Sequence, residues 1–425
     1  MRFKLGTFLM LVGLYFSIAF TTGLNDPLAK VIQSQWDLST FESQFGNFSF
    51  FIAYILMGIP ASMVVSKIGY KRGAQVALGG MALGTIIVMC GGNAHLIWLY
   101  LAGMFVIGCF ITLLQVVVNP LIIAVGSERG ANSRMNIGGM ASSFGATAAP
   151  VVVGFIIGNA VSSELSVKDV NPVLFTLLGF FCVVFACLSL TKFDSTESIS
   201  GTSEDNQKLL SRNLLSGLKR GSFVFGVVAI FLYVGEEVST ASLTNLYMMN
   251  ELGIEPLVSG SVIGAYWMLM LVGRMLGAVV GTRIASGAQL LIVSSIALAL
   301  YVVSIVLPIG YSVTMIGVDS SLTFIKTEIP VSILLLVLVG MCNSVMWTCI
   351  FILATRGLKE STNLASGVFM MRVCGGGILP VVQGHLADMI GFRMSYVIGV
   401  LCLSVIFAYS LYSIMTVKNK VDKTS

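Results

Sequence analysis

Lys192–Gly221 reads KFDSTESISGTSEDNQKLLSRNLLSGLKRG, thirty residues rich in Ser, Thr, Asp and Asn within a chain that is 56% hydrophobic and 10% charged. Apolar segments of spanning length lie on both sides of it, since a helix needs about 20 apolar residues to cross the hydrocarbon of a bilayer. Before it they run near 5–24 (continuing to about 35), 45–66, 74–92, 96–124, 136–160 and 172–191. After it they run near 222–249, 257–282, 288–308, 330–355, 364–387 and 394–416. Six spans, a polar connection and six more predict an all-α membrane protein of twelve transmembrane helices. The domains expected are an N-terminal six-helix bundle over 1–191, a linker over 192–221 and a C-terminal six-helix bundle over 222–425.

The whole composition agrees. A mean hydropathy of +0.95 over 425 residues overrides the two or three soluble domains that length alone implies. The net charge of +5 is explained by its placement rather than by nucleic acid. With the N-terminus inside, 18 of the 24 Lys and Arg fall in inner segments. Only Lys30, Lys168, Lys326 and Arg393 fall outside, and Arg274 and Arg372 lie within spans. That is the positive-inside pattern, with both termini and the linker cytoplasmic. An integral plasma membrane location follows, a bacterial inner membrane being the expectation. No small-residue cleavage site follows Arg2 and Lys4, so the first run is expected to be a span rather than a signal peptide. The eight cysteines all sit in apolar runs without a CxxC pattern, as small packing residues do.

The two sides of the linker echo each other. Gly73-Ala74-Gln75-Val76 opens the third span and Gly287-Ala288-Gln289-Leu290 the ninth. Pro150-Val151-Val152-Val153-Gly154 in the fifth recurs as Pro380-Val381-Val382-Gln383-Gly384 in the eleventh. Two matches in corresponding spans point to a duplicated unit. Glycines at helix-packing spacing, Gly273 with Gly277 and the run Gly375–Gly377, allow helices to approach and slide.

The chemistry is sparse and concentrated. Phe20–Lys30, FTTGLNDPLAK, puts Asn25 and Asp26 at the outer part of the first span, where a carboxylate is costly and marks a functional position by default. The same carboxylate also fits a purely structural role, as an N-cap with Pro27 in the first helical position or as a partner of Lys30 one turn on. Other polar residues inside spans are Asn47, Gln115 and Asn119 one turn apart, Asn136, Ser142 and Ser143, Glu236, Glu237 and Asn245, Tyr266, Trp267 and Arg274, Asn343 and Trp347 one turn apart, and Arg372 and Gln383. Amides donate and accept together, as sugar hydroxyls do, and aromatic faces match the apolar face of a pyranose. Such a mixture with little charge favours a neutral polyol over an organic ion. Each amide equally fits helix bridging. There is no HExxH, no GxSxG in a strand-to-helix context and no Walker A lysine motif, and only His95 and His385 are histidines. Neither an enzyme nor an ATP-driven pump is expected, and no cofactor or metal is called for.

Six plus six with a cytoplasmic linker is the layout of the major facilitator superfamily, and the motifs resemble one of its branches. Gly23-Leu24-Asn25-Asp26 is similar to the CLND-type signature of the fucose:proton symporter family, which includes glucose/galactose transporters. Lys67–Gly73 (KIGYKRG) resembles its KRIGYKRG loop, Gln115–Pro120 (QVVVNP) its ETAANP or QTASNP stretch, and Gly235–Ser239 (GEEVS) its GAEVS turn. Tyr266-Trp267 with Gly273-Arg274 resembles its eighth-span YW…GR pattern. Ser366-Gly367, Gly375–Pro380, Gln383-Gly384 and Leu386-Ala387-Asp388 resemble its eleventh-span ending.

The resemblance covers nearly the whole chain. It implies that Asp26 is the proton-responsive carboxylate and that Gln115 and Asn119 line the sugar cavity. Gln115 departs by standing where fucose-type members carry Glu, Gly139 by standing where members often have Gln, and Glu236 by adding a carboxylate beside Glu237. Neighbours on a helix point about 100° apart, so one of the pair is expected to face the cavity, Glu237 being the one that matches the family.

The function expected is cation-coupled uptake of a hexose or deoxyhexose by alternating access, with protons as the coupling ion. The alternatives are sodium coupling or an uncoupled uniporter, then a drug exporter or a sugar sensor. The proton-coupling candidates are Asp26 and Glu237. The substrate candidates are Asn25, Gln115, Asn119, Asn136, Ser143, Asn245, Trp267, Asn343, Trp347 and Gln383. The partners expected are the sugar, the coupling cation and the bilayer, with the chain working as a monomer.

Overall fold

A computed structural model describes residues 5–124, 131–158, 165–190, 221–280, 284–308, 310–318, 324–355 and 371–421. The linker 192–220 and Ser366-Gly367 lie outside the described residues. The N-terminal helices are α1 Leu5–Gly23, α2 Asn25–Trp36, α3 Thr40–Ser43, α4 Phe45–Asn93, α5 Ile97–Ala124, α6 Ala131–Gly158 and α7 Val167–Leu190. After the linker come α8 Gly221–Asn250, α9 Pro256–Val280, α10 Ser286–Val306, strands β1 Ser312–Val318 and β2 Phe324–Pro330, α11 Val331–Thr355, α12 Gly375–Ile390, α13 Phe392–Ser395 and α14 Val397–Val421.

Among the described residues, eleven helical stretches are long and apolar enough to cross a membrane. Of the eleventh predicted span, 364–387, residues 371–387 are described, most of them in α12, a helix of 16 residues. Outward-facing Leu9, Leu56, Phe175, Val183 and Leu401 remain exposed, as lipid-facing side chains do.

Local chemistry explains the breaks. Pro27 has no N–H to give the Gly23 carbonyl four residues back, and there α1 yields to α2. Within α4, Gly69 adopts φ 80° and ψ 165°, a left-handed conformation open to glycine. The break falls between the predicted second span, 45–66, and the third, 74–92.

The loop after Pro308 contains a structure that the sequence reading did not foresee. Ser312–Val318 and Phe324–Pro330 pair antiparallel, Ser312 opposite Pro330 and Val318 opposite Phe324, and Ser312 Oγ donates to Glu328 at 3.0 Å. The β-branched alternation SVTMIGV and FIKTEIP carried that signal. The end of the molecule bearing this ladder is called the hairpin end below, and the opposite one the linker end.

The two bundles meet where α12 packs on α3 and α8 on α2, and most extensively through two helix pairs, α6 with α9 and the first half of α4 with α12. These are spans five with eight and two with eleven, which a six-span repeat exchanges. The duplicated PVVxG motif accounts for part of the seam. A Cβ on Gly154 would lie 2.6 Å from the Pro256 carbonyl at the start of α9. A Cβ on Gly384 would lie 2.9 Å from the Thr40 carbonyl just ahead of α4. The two repeated glycines thus let equivalent helices close on each other at the hairpin end.

Candidate functional site

Asp26 sits in the first turn of α2 and is 3% exposed. Neither structural role open to it in the sequence is realised. The N-cap position is Leu24, with no side-chain cap bond, because α1 and α2 run on almost as one helix through Leu24 N–H to Phe20 O and Leu28 N–H to Leu24 O. Lys30 bonds instead to Asn250 Oδ1 of the other bundle. The Asp26 carboxyl faces the seam, where the Trp267 indole of α9 and the charge of Glu237 of α8 are its neighbours. The indole lies within interaction range, but the hydrogen bond is incomplete: Asp26 Oδ2 and Trp267 Nε1 are both buried without a partner. Two unfilled polar atoms facing each other across a helix seam cost free energy unless something else bonds them.

Asn245 of α8 closes one side of this group. Its Nδ2 donates to the Asp26 carbonyl at 3.4 Å, and Ser259 Oγ of α9 donates to its Oδ1 at 2.6 Å. Glu236 and Glu237 divide as helical geometry requires. Glu236 is 1% exposed and turns into the C-terminal bundle, accepting from Tyr301 of α10 and Asn343 of α11. Glu237 is half-buried and turns towards the Tyr233 hydroxyl and the charge of Arg274. Trp347 packs against Tyr233 with ring centroids 6.4 Å apart, which brings it into the same neighbourhood.

The facing wall comes from the N-terminal bundle. Gln115 Nε2 donates to Tyr54 OH at 3.2 Å and Asn119 Oδ1 accepts from Tyr15 OH at 2.7 Å, so both amides are held one turn apart by tyrosines of α4 and α1. Arg274 Nη1 of α9 donates to Ser143 Oγ of α6 at 3.3 Å, joining the walls. Gly139, one turn before Ser143, has nothing within 4 Å of where a Cβ would stand, so this wall opens onto free space.

Not every candidate joins this group. Both side-chain polar atoms of Asn25 are buried and unpartnered, and Asn25 lines a small pocket inside the N-terminal bundle with Thr21, Phe50, Thr85 and Leu174. Gln383 is tied to Ser395 Oγ at 3.3 Å, one residue from Gly384 at the hairpin end. The side chain of Asn136 lies outside those described. The sequence reading passed over Tyr15, Tyr54, Tyr233, Thr240 and Tyr301. Each is a hydroxyl in mid-helix, and its only signal was a polar tip inside an apolar run.

At the hairpin end the seam is closed by polar bonds. Asp388 of α12 accepts from the backbone N–H groups of Thr40 (2.9 Å, Oδ1) and Phe41 (2.7 Å, Oδ2). Asn250 Nδ2 donates to Gln33 at 2.9 Å. Ser242 Oγ donates to Gln44 at 3.1 Å, and Asn47 donates to Ser242 at 3.2 Å.

Two membrane-embedded bundles with a polar group held between them, closed at one end by reversible bonds, define a carrier. The chain belongs to the Major Facilitator Superfamily, whose profile matches residues 11–381. It is 28% identical over 408 residues to the glucose/galactose transporter of Brucella abortus, covering 94% of this chain and 92% of that one. It is 25% identical over 433 residues to the L-fucose-proton symporter of Escherichia coli, covering 97% and 94%. Among solved structures it resembles the major facilitator transporter FucP in the outward conformation, with a TM-score of 0.69, 24% identity and coverage of 96% and 98%.

Proposed function

We propose that this chain is a secondary active sugar transporter that takes up a hexose or deoxyhexose by alternating access, coupled to protons through Asp26. The relatives at full-length coverage are transporters of glucose/galactose and of L-fucose by name. The observation that carries the reading is the seam group itself. A buried carboxylate of α2 has an unpartnered oxygen beside an unpartnered indole N–H of α9, with Asn245 alongside. A charge left there resists movement through an apolar passage, so proton binding at Asp26 is a means of permitting the bundles to rock. Glu237 stands next to it as the second coupling group, held between Tyr233 and Arg274.

Gln115, Asn119 and Ser143 of the N-terminal bundle and Trp267 and Trp347 of the C-terminal one offer amides, hydroxyls and indole faces. That is the chemistry of a neutral polyol. The hairpin end is closed by polar bonds, and the charge pattern assigns that end to the outside. Residues 192–221 are the connection between the two bundles, and the working unit is one chain.

The test is uptake of a panel of labelled sugars into proteoliposomes under imposed pH and sodium gradients. Accumulation of one hexose or deoxyhexose above equilibrium with a pH gradient alone supports the reading. Accumulation only with sodium, or equilibration without accumulation under either gradient, overturns the proton assignment. Transport of no sugar at all overturns the substrate class.

A further inference from the structure

Glu236 is a carboxyl that the proposed transport cycle does not use. It is buried to 1% exposure in the middle of a membrane-spanning helix, and each of its bonded partners is neutral. Tyr301 OH lies 2.8 Å and Thr240 Oγ1 3.0 Å from Oε1, and Asn343 Nδ2 donates to Oε2 at 2.9 Å. Thr240 also reaches the Glu236 carbonyl at 2.7 Å and contacts Tyr301 OH directly. Asn343 Nδ2 further donates to Tyr266 OH at 3.1 Å, and Tyr266 OH donates to the Glu237 carbonyl at 3.2 Å. Helices α8, α10 and α11 of the C-terminal bundle therefore meet at this one carboxyl, and α9 joins the cluster through Tyr266.

Hydroxyl groups donate and accept interchangeably, and that gives the cluster two complete bonding patterns on the same heavy atoms. With Glu236 ionised, Tyr301 and Thr240 both donate towards Oε1 and the Asn343 amide donates to Oε2. With a proton on Oε1, that O–H donates to Tyr301 OH, Tyr301 donates to Thr240 Oγ1, and Thr240 donates to the Glu236 carbonyl. The Asn343 bond to Oε2 is kept in both. The oxygens are already in hydrogen-bond contact, so a metal cation, which needs a shell of oxygens at more than 2 Å on every side, has no place among them. Among the described residues, the ionisable groups in electrostatic reach besides Tyr301 and Tyr266 are Glu237 and Tyr233 on the same helix, Cys342 on α11 and Cys402 on α14. The nearby Arg274 charge is directed to Glu237 and Ser143.

We propose that Glu236 is a further proton-binding group beside Asp26 and Glu237, one that holds its proton inside the C-terminal bundle rather than at the seam. Its role in coupling rests on the transport reading above, whereas its chemistry does not.

The experiment is infrared spectroscopy on the purified full chain in lipid, without sugar, in an Asp26→Asn/Glu237→Gln background. The expected result is a carboxylic-acid C=O band at neutral pH that bleaches reversibly as pH rises and is absent after adding Glu236→Gln. Exchanging potassium for sodium at fixed pH should leave it unchanged, and Tyr301→Phe should raise the bleaching pH by about one unit or more, because the bond lost to the ionised carboxylate is stronger than the one lost to the neutral acid. Absence of a Glu236-dependent band, its loss on adding sodium, or indifference to Tyr301→Phe would overturn the proposal. Should Glu236→Gln fail to fold, the Tyr301→Phe shift decides alone. The measurement involves no transport, so its failure is distinguishable from failure of the sugar-uptake reading.

Discussion

At the scale of single residues, the Gln115, Asn119 and Ser143 side chains of the seam already have partners, and a substrate must compete for them. Asn119 accepts from Tyr15 at 2.7 Å, so it serves as a bridge between α1 and α5 in this state. If it also binds sugar, Asn119→Ala removes one neutral bond worth about 0.5–1.5 kcal/mol and raises the sugar dissociation constant several-fold. Tyr15→Phe, which removes only the bridge, should change sugar binding less. Equal binding by Asn119→Ala and the parent, measured by isothermal titration on folded protein, would confine Asn119 to bridging.

Asp26 shows how far single residues are legible. Its cost in an apolar span marks it in the sequence, where capping and a Lys30 pair both stay open. The near-continuous α1–α2 helix and the Lys30–Asn250 bond remove both. Asn25, adjacent in sequence, turns instead into the N-terminal bundle, because neighbours on a helix diverge by about 100°. Position along the chain does not fix facing when the helix phase is unknown.

At the scale of elements, closure at the hairpin end depends on α12 reaching α3. The Asp388 carboxylate takes two backbone N–H groups at the start of a helical turn, a charge-assisted arrangement on an exposed side chain. Asp388→Ala should therefore favour opening at this end by about 1.4 kcal/mol, a factor of ten. The probe is a cysteine at Ser242, which is buried between Gln44 and Asn47, in a background lacking the native cysteines. Thiol labelling should become about tenfold faster; an unchanged rate would show that the Asp388 bonds do not hold the end shut.

Gly260 offers a steric counterpart. A Cβ there collides with the Pro150 carbonyl across the seam, so Gly260→Val should open the same end by wedging α9 from α6. Ser242 labelling reads that effect too, with acceleration expected and no change against it.

The repeated PVVxG segments are legible as an echo, and the structure gives them a use: Gly154 and Gly384 sit at equivalent closures. The β1–β2 ladder escapes a reading of this long loop for charge and length alone, although its alternation is visible. The tyrosine partners escape for a different reason. Phe and Tyr are equally at home in an apolar run, and only packing shows which hydroxyl meets a carboxylate or an amide.

At the scale of the molecule, the twelve-span pattern and the family are readable because a bilayer imposes segment length directly on sequence. Sidedness rests on charge, and it is testable independently of transport. A cysteine introduced at Ser203 should resist an impermeant thiol reagent in intact cells, and one at Ser312 should react. The reverse pattern would invert the direction in which the closed end faces.

The central claim is that Asp26 couples proton movement to rocking of the two bundles, and one substitution tests it most directly. Asp26→Asn keeps the shape and holds the position permanently neutral, so the bundles should still exchange states. Measured in proteoliposomes, sugar counterflow and exchange should survive, while uphill accumulation under an imposed pH gradient should disappear. A variant that accumulates sugar as the parent does would contradict the account and leave Asp26 a structural residue.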